Sequence, residues 1–286
     1  MDILGKRKIW YTISLAVIAI GLLFLLINGL NLGIDFKGGT LMEFNFSDDV
    51  TTEDIRGVLE KIEIAEDSKI QQSESAGENG IIVRAMTLES EEISTVDNAI
   101  KDEFESAEML RTEMVGPTIG RELRINALLA MIAASIAIIA YISFRFEFSF
   151  AVVSIITLMH DVLITIGIFA ILGKEVNTPF VAALLTIVGY SINDTIVIFD
   201  RIRENMKLMH KVPFVEQANT AVVDTLPRSI NTSVTTLIAI LAIYFFGGAS
   251  IQTFMLALFI GMFAGTYSSI FVASPLLVSW QKRISK

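Results

Sequence analysis

The chain contains no cysteine. Disulfides, thiolate metal sites and a cysteine nucleophile are therefore excluded. Its two histidines, His160 and His210, are too few to hold a zinc ion by themselves. Charge is missing from two long stretches, Ile9 to Ile34 and Ser229 to Gln281. The first is much longer than the apolar region of a signal peptide and has no convincing small-residue cleavage site. It is expected to stay as a membrane anchor. Between 31 and 124 there is no nucleophile–base constellation and no Gly-rich phosphate cradle. No small cofactor is expected, and catalytic residues are not assigned.

What the chain does have is apolar mass and sharply segregated charge. Of 286 residues, 53% are hydrophobic. Residues 31–124 hold 22 acidic and 9 basic side chains, a net charge of −13. The remainder holds 9 acidic and 13 basic, a net charge of +4. This is the signature of one acidic polar domain joined to a slightly basic membrane body. Such a domain repels phosphates, so nucleic acid is not an expected partner.

A spanning helix needs about 20 apolar residues. Six segments qualify, at roughly 10–30, 125–144, 148–172, 178–199, 229–246 and 251–279. Gly247-Gly248 is the natural turn between the last two. Three basic clusters lie outside the spans: Lys6 to Lys8, five residues within 201–228, and Lys282, Arg283 and Lys286. With six spans all three fall on one side, which the positive-inside rule makes cytoplasmic. The expected organisation is a cytoplasmic N-terminus and first span (1–30), an extracytoplasmic domain (31–124), and five further spans (125–286). The cytoplasmic link is 200–228. Both termini are then cytoplasmic, in a multi-pass protein of the cell membrane, with lipid as its surroundings.

The polar domain reads as β-α-β-β-α-β, the ferredoxin-like order. Strand 39–46 alternates as a half-buried strand does. The stretch TEDIRGVLEKIEI places Ile55, Val58, Leu59 and Ile62 at helical spacing after Thr51-Thr52. Strands follow at 69–73 and 80–86, joined by the polar turn ESAGENG. A second helix at 89–105 has Ile93, Val96, Ile100 and Phe104 on one face. The last strand is 107–115. The fold class is thus a polytopic α-helical membrane protein with an α+β ferredoxin-like domain.

Asp194 is the most informative residue. The span Thr178–Phe199 is otherwise uncharged. An ionisable group there costs roughly 2.5–3.5 kcal/mol on insertion scales. It is either a group that loads and releases an ion or a hydrogen-bonded packing contact between helices. Ser191 and Asn193 beside it, with Asn231, Thr232, Ser233, Thr235 and Thr236 in the fifth span, suggest a polar seam. Arg228 is the best counter-charge. It begins the fifth span, and a long Arg201 side chain or one water is a second expected link to Asp194. His160 and Asp161 form another polar pair, read as a helix contact or as part of a polar relay. A metal site there has too few ligands. Residues 214–226 look amphipathic and are expected along the membrane surface. Gly261 and Gly265 suggest close helix packing. At the other end of the chain, GIDFKGGT (33–40) joins the first span to the polar domain. Asp35, Lys37, Gly38 and Gly39 sit there at the membrane surface. Asp35 and Lys37, two apart, share a face if the segment is a strand.

Four motifs occur in order: GIDFKGGT, VGPTIGRELRINAL (115–128), GYSINDTIVIFDRIREN (189–205) and LPRSINTSVTTL (226–237). Together they resemble the SecF family of the SecD/SecF group, within the RND superfamily. The resemblance covers nearly the whole chain. It implies half of an RND-type bundle, with SecD supplying the other six helices. It implies a proton or sodium gradient used to promote preprotein translocation through SecYEG, with no enzymatic reaction. The implied partners are SecD, the SecYEG channel, YajC and unfolded preprotein. It also implies ion coupling by Asp194 and Arg228. Two other readings come from the residues: a self-pairing RND-type small-molecule exporter, and an intramembrane aspartyl protease using Asp161 and Asp194.

Overall fold

The computed structural model describes residues 1–64, 68–73 and 79–284, without the side chains of 249, 250 and 282–284. The expected turn ESAGENG lies outside them over 74–78, as do Lys286 and the side chains of Lys282 and Arg283. In chain order the elements are α1 (Arg7–Asn28), β1 (Asn31–Leu32), α2 (Ile34–Lys37), β2 (Gly39–Asn45), α3 (Thr52–Lys61), β3 (Lys69–Ser73) and β4 (Gly80–Ala85). Then come α4 (Ser90–Glu103), β5 (Glu108–Val115), α5 (Pro117–Arg145), α6 (Phe148–Leu172), β6 (Glu175–Val176), α7 (Thr178–Leu208) and α8 (Phe214–Phe246). The last helix is α9 (Ala249–Ser268), a π-helical segment (Ser269–Ala273) and α10 (Ser274–Ile284). Six helices are long and apolar enough to cross a membrane. The chain divides into a sheet unit, chiefly Leu32–Leu128, and a helical unit made of the rest.

In the sheet unit the strand order is β3-β4-β2-β5, with every neighbouring pair antiparallel. With α3 and α4 this is the β-α-β-β-α-β arrangement. The helices form where expected because their apolar residues recur on one face. Ile55, Val58 and Leu59 of α3 and Val96 and Ile100 of α4 are buried against Met42, Phe44, Ile81 and Val83. Thr51 starts α3 with a capping box: its hydroxyl accepts from the Asp54 N–H, and Asp54 accepts from the Thr51 N–H at 2.9 Å. The Thr51 hydroxyl bond, then the backbone bond, holds the Asp54 carboxyl below the ordinary aspartate value.

Strand β2 departs from the expected half-buried alternation: Gly39 to Phe44 are all buried. The strand is central, and α2, with Ile34 and Phe36 buried, packs against β2 and β5. Glu43 is tolerated inside because Arg111 Nε donates to it at 2.7 Å and the Ser73 hydroxyl donates to its other oxygen. The segment around Asp35 and Lys37 is a helical turn, not a strand. Residues two apart on a helix point about 200° apart, so the expected pairing of those two side chains across a strand face is lost.

In the helical unit, small residues let backbones meet. A Cβ on Gly21 of α1 would lie 2.8 Å from Gly167 Cα of α6. Gly261 and Gly265 of α9 face Ile187 and Ser191 of α7, as their spacing suggested. Helix α7 runs on to Leu208 and pairs with α8. The amphipathic stretch 214–226 is the first part of helix α8, which is continuous from Phe214 to Phe246 with Pro227 inside it. Its Ala218, Ala221 and Val222 pack on Ile198, Phe199 and Ile202. Arg228 accordingly lies within a long helix rather than at its start.

Candidate functional site

Asp194 is 6% exposed within α7. Its Oδ2 has no hydrogen-bond partner, and neither does the buried Oγ of Ser229 on α8. These two groups are close enough to interact, and the Arg228 charge also acts on the carboxyl. Neither contact meets the geometry of a hydrogen bond or an ion pair among the described residues. A buried carboxyl this lightly held, beside one hydroxyl and one cation, can exchange a proton or a small cation. Ser229 was missed by sequence reading, although it adjoins Arg228.

Asp161 on α6 is 1% exposed and fully partnered. Its Oδ1 lies 2.8 Å from His160 Nδ1. Its Oδ2 accepts from Ser191 Oγ of α7 at 2.5 Å and from Ser268 Oγ of α9 at 2.9 Å. Thr195 Oγ1 and Ser269 Oγ are 2.8 Å apart, and Ser269 Oγ donates to Ser191 O at 3.3 Å. The π-helical segment begins at Ser269. Its wider turn brings Ser268 and Ser269, adjacent in sequence, inward together. The hydroxyls of the YSSI stretch in a charge-free run were the available signal. A further bond joins Ser233 of α8 to Thr266 of α9 at 2.6 Å.

Ser191, His160 and Asp161 therefore share one buried hydrogen-bonded cluster, and Asp194, one turn on from Ser191, is buried apart from it beside Ser229. Asn193, Asn231 and Thr235 do not join it, being exposed. Each is rotated on its helix away from a buried neighbour, Asn193 by about 100° from Asp194 and Asn231 by about 200° from Ser229. Thr235 returns its hydroxyl to Asn231 O at 2.9 Å. Arg201 does not reach toward Asp194 either. It binds Asp224 at 2.6 Å and Glu204 at 2.8 Å. Asp161 and Asp194 share no partner, so they do not form the carboxylate dyad that a protease needs.

In the sheet unit, GIDFKGGT meets VGPTIG through glycine. Gly38 has φ +79°, and a Cβ there would lie 3.1 Å from Pro117 Cα. A Cβ on Gly120 would lie 3.0 Å from Gly38 N. Gly39 has φ +126° and no space for a side chain beside Ala85 O. Two motifs far apart in sequence are thus one backbone-packed structure.

Two family models match these segments. One, described as protein export membrane protein SecD/SecF, C-terminal, covers residues 95–283. The other, the SecD/SecF GG motif, covers residues 23–50. The chain belongs to the SecD/SecF family. It is 42% identical over 302 residues to the protein translocase subunit SecF of Thermobaculum terrenum, covering 99% of this chain and 95% of that protein. It is 42% identical over 275 residues to the protein translocase subunit SecDF of Thermus thermophilus, covering 95% of this chain and 37% of SecDF. The crystal structure of that SecDF superposes with a TM-score of 0.92 at 39% identity, covering 99% of this chain and 39% of the SecDF chain. SecDF in its super-membrane-facing form gives 0.73. The comparisons give no support to the self-pairing exporter or to the protease. The six-helix membrane fold with a sheet domain is thus that of SecF relatives, and the chain is a multi-pass membrane protein.

Proposed function

We propose that this chain is the SecF-type subunit of a protein-export machine and works with a SecD-type partner on an ion gradient. The observation that carries the coupling role is the buried Asp194 carboxyl held only loosely by Ser229, with Arg228 near and no closed ion pair among the described residues. An intramembrane carboxyl held this loosely is poorly explained by packing alone. Arg228 favours its charged form and so eases ion release. Support for SecD comes from two sides. SecDF of Thermus thermophilus, by name, joins both parts in one chain. Here, the polar side chains of Asn193, Asn231 and Thr235 are exposed on spanning helices, and they need a covering helix rather than lipid. The SecYEG channel and unfolded preprotein follow from the export role; YajC, like them, is proposed from family resemblance. No covalent reaction is assigned. The test is preprotein translocation in vesicles holding this chain, SecD and SecYEG. Collapsing the coupling gradient, of H⁺ or of Na⁺, is expected to remove the stimulation this chain gives. Stimulation that survives collapse of both ends the proposal.

The membrane sides are proposed from charge. Residues 1–30 start in the cytoplasm, 31–124 lie outside, and 125–286 return five times with the link 200–228 and both termini inside. Because the chain has no cysteine, single cysteines report cleanly. Asn98→Cys on α4 is expected to react with an impermeant thiol reagent in intact cells, and Lys211→Cys to react only after lysis. Both positions are exposed. The opposite pattern inverts the topology.

A further inference from the structure

Asp161 and His160 have no part in the coupling site just described, yet the buried Asp161 carboxyl is bonded to three side chains. Oδ1 of Asp161 and Nδ1 of His160, 2.8 Å apart, hold one proton between them. Ser191 and Ser268 each give their single hydroxyl proton to Oδ2. In this state Oδ2 only accepts. A second proton on the pair, placed at Oδ2, turns that oxygen into a donor, and one serine must then turn its own hydrogen away and accept instead. The two serines are not equal. Ser268 Oγ is also 3.1 Å from Gly265 O, a ready alternative acceptor within its own helix. Ser191 Oγ has no second acceptor among the described residues. The bond that reverses is therefore the one to Ser268, which immediately precedes the π-helical segment.

We propose that the His160–Asp161 pair is a second proton-holding station, and that loading its second proton reverses the bond to Ser268, whose hydroxyl hydrogen turns to Gly265 O beside the π-helical segment of the last span. This rests on the gradient-driven reading above. Two further observations support it. His160 Nε2 is buried without a partner, as is Ser274 Oγ just beyond the π-helical segment, so polar groups there are left for water or a changed conformation. Segments of π-helix are frequent at functional sites because they hold an extra residue that can be redistributed. The groups facing the pair are few. From α7 it meets Ser191, with Tyr190 adjacent in sequence and Asp194 one turn on. From α9 it meets Ser268, and the Tyr267 ring lies 6.3 Å from that of His160. From α1, Ser14 reaches only the Tyr267 hydroxyl, and Tyr11 is turned to Ser279 of α10. None of these elements brings a second charged group into bonding distance of Asp161 among the described residues.

The test is the pH profile of gradient-stimulated translocation in the vesicles defined above. His160→Gln keeps an N–H donor for Asp161 but cannot take up or release a proton. Its profile is expected to move by about one pH unit or more, a tenfold change in the proton affinity of the pair. A profile that superimposes on that of the unaltered chain, whatever its amplitude, overturns the station. Infrared difference spectroscopy gives a second reading on purified protein with SecD. In the difference between Asp194→Asn and the same chain with Asp161→Asn added, one titrating carboxyl C=O band is expected, above the background of the exposed carboxyls common to both. No such band in that difference overturns the proposal even if His160→Gln fails to accumulate. Loss of all gradient stimulation in the unaltered chain, with the band present, rejects the coupling reading and leaves the station standing.

Discussion

Asp194→Asn is expected to abolish gradient-stimulated translocation while leaving assembly with SecD intact. Asparagine matches aspartate in volume and can still bond Ser229, so the contact between α7 and α8 is kept. What it cannot do is bind and release a proton, or neutralise a cation. If Asp194 were only a packing contact, its amide replacement would satisfy the same surroundings and export would continue. Translocation in the vesicles is expected to fall to the level seen without a gradient, and ATP-driven export to persist. Co-purified SecD measures assembly in the same preparation. Full gradient-dependent activity with normal SecD recovery sinks the coupling role. Arg228→Met sharpens the result. It removes the charge that favours ionised Asp194 but leaves the carboxyl, so it is expected to slow the cycle rather than abolish it.

The six spans and the β-α-β-β-α-β order were legible because each rests on a repeat that hydrophobicity alone reveals. Uninterrupted apolar runs gave the first and period-matched faces such as Val96 and Ile100 gave the second. The polar site was legible only in part. Composition said that α7 and α8 carry polar residues, but not which of them face each other. Ser229 and Ser233 are buried and Asn231 between them is exposed, a choice made by helix rotation against neighbours. The continuity of α8 was hidden by Pro227 and Arg228, which together look like a boundary. A proline inside a helix is tolerated where packing on both sides holds the chain, as α7 does here through Ala218, Ala221 and Val222. The π-helical segment carries no local pattern at all. It exists because Ser268 and Ser269 both find partners inside the bundle.

Gly39→Ala is expected to lower the stability of the sheet domain by about 2–6 kcal/mol, although it adds one methyl group. Two costs combine. Residue 39 sits at φ +126°, a conformation that side-chain-bearing residues rarely adopt, at about 1–3 kcal/mol. The new Cβ would also lie 2.6 Å from Ala85 O, a backbone atom held in the β2–β4 ladder opposite Thr40, so overpacking adds about 1–3 kcal/mol. Neither can relax without opening the strand pair that carries Met42 and Phe44 into the core. Gly57→Ala, in the same domain, is expected to do the opposite. Gly57 lies inside α3, and a Cβ there meets nothing within 4 Å. Alanine should stabilise the helix by about 0.5–1 kcal/mol. Chemically the two changes are identical, so composition and helix or strand preference cancel from the comparison. Urea unfolding of residues 31–124 measures both. For a domain with a total stability of about 5–15 kcal/mol, the first variant is expected to lose a large fraction of it and to unfold at clearly lower urea. If both variants unfold at the midpoint of the parent domain, the strained glycine packing between the GG motif and β4 is not a constraint on this fold.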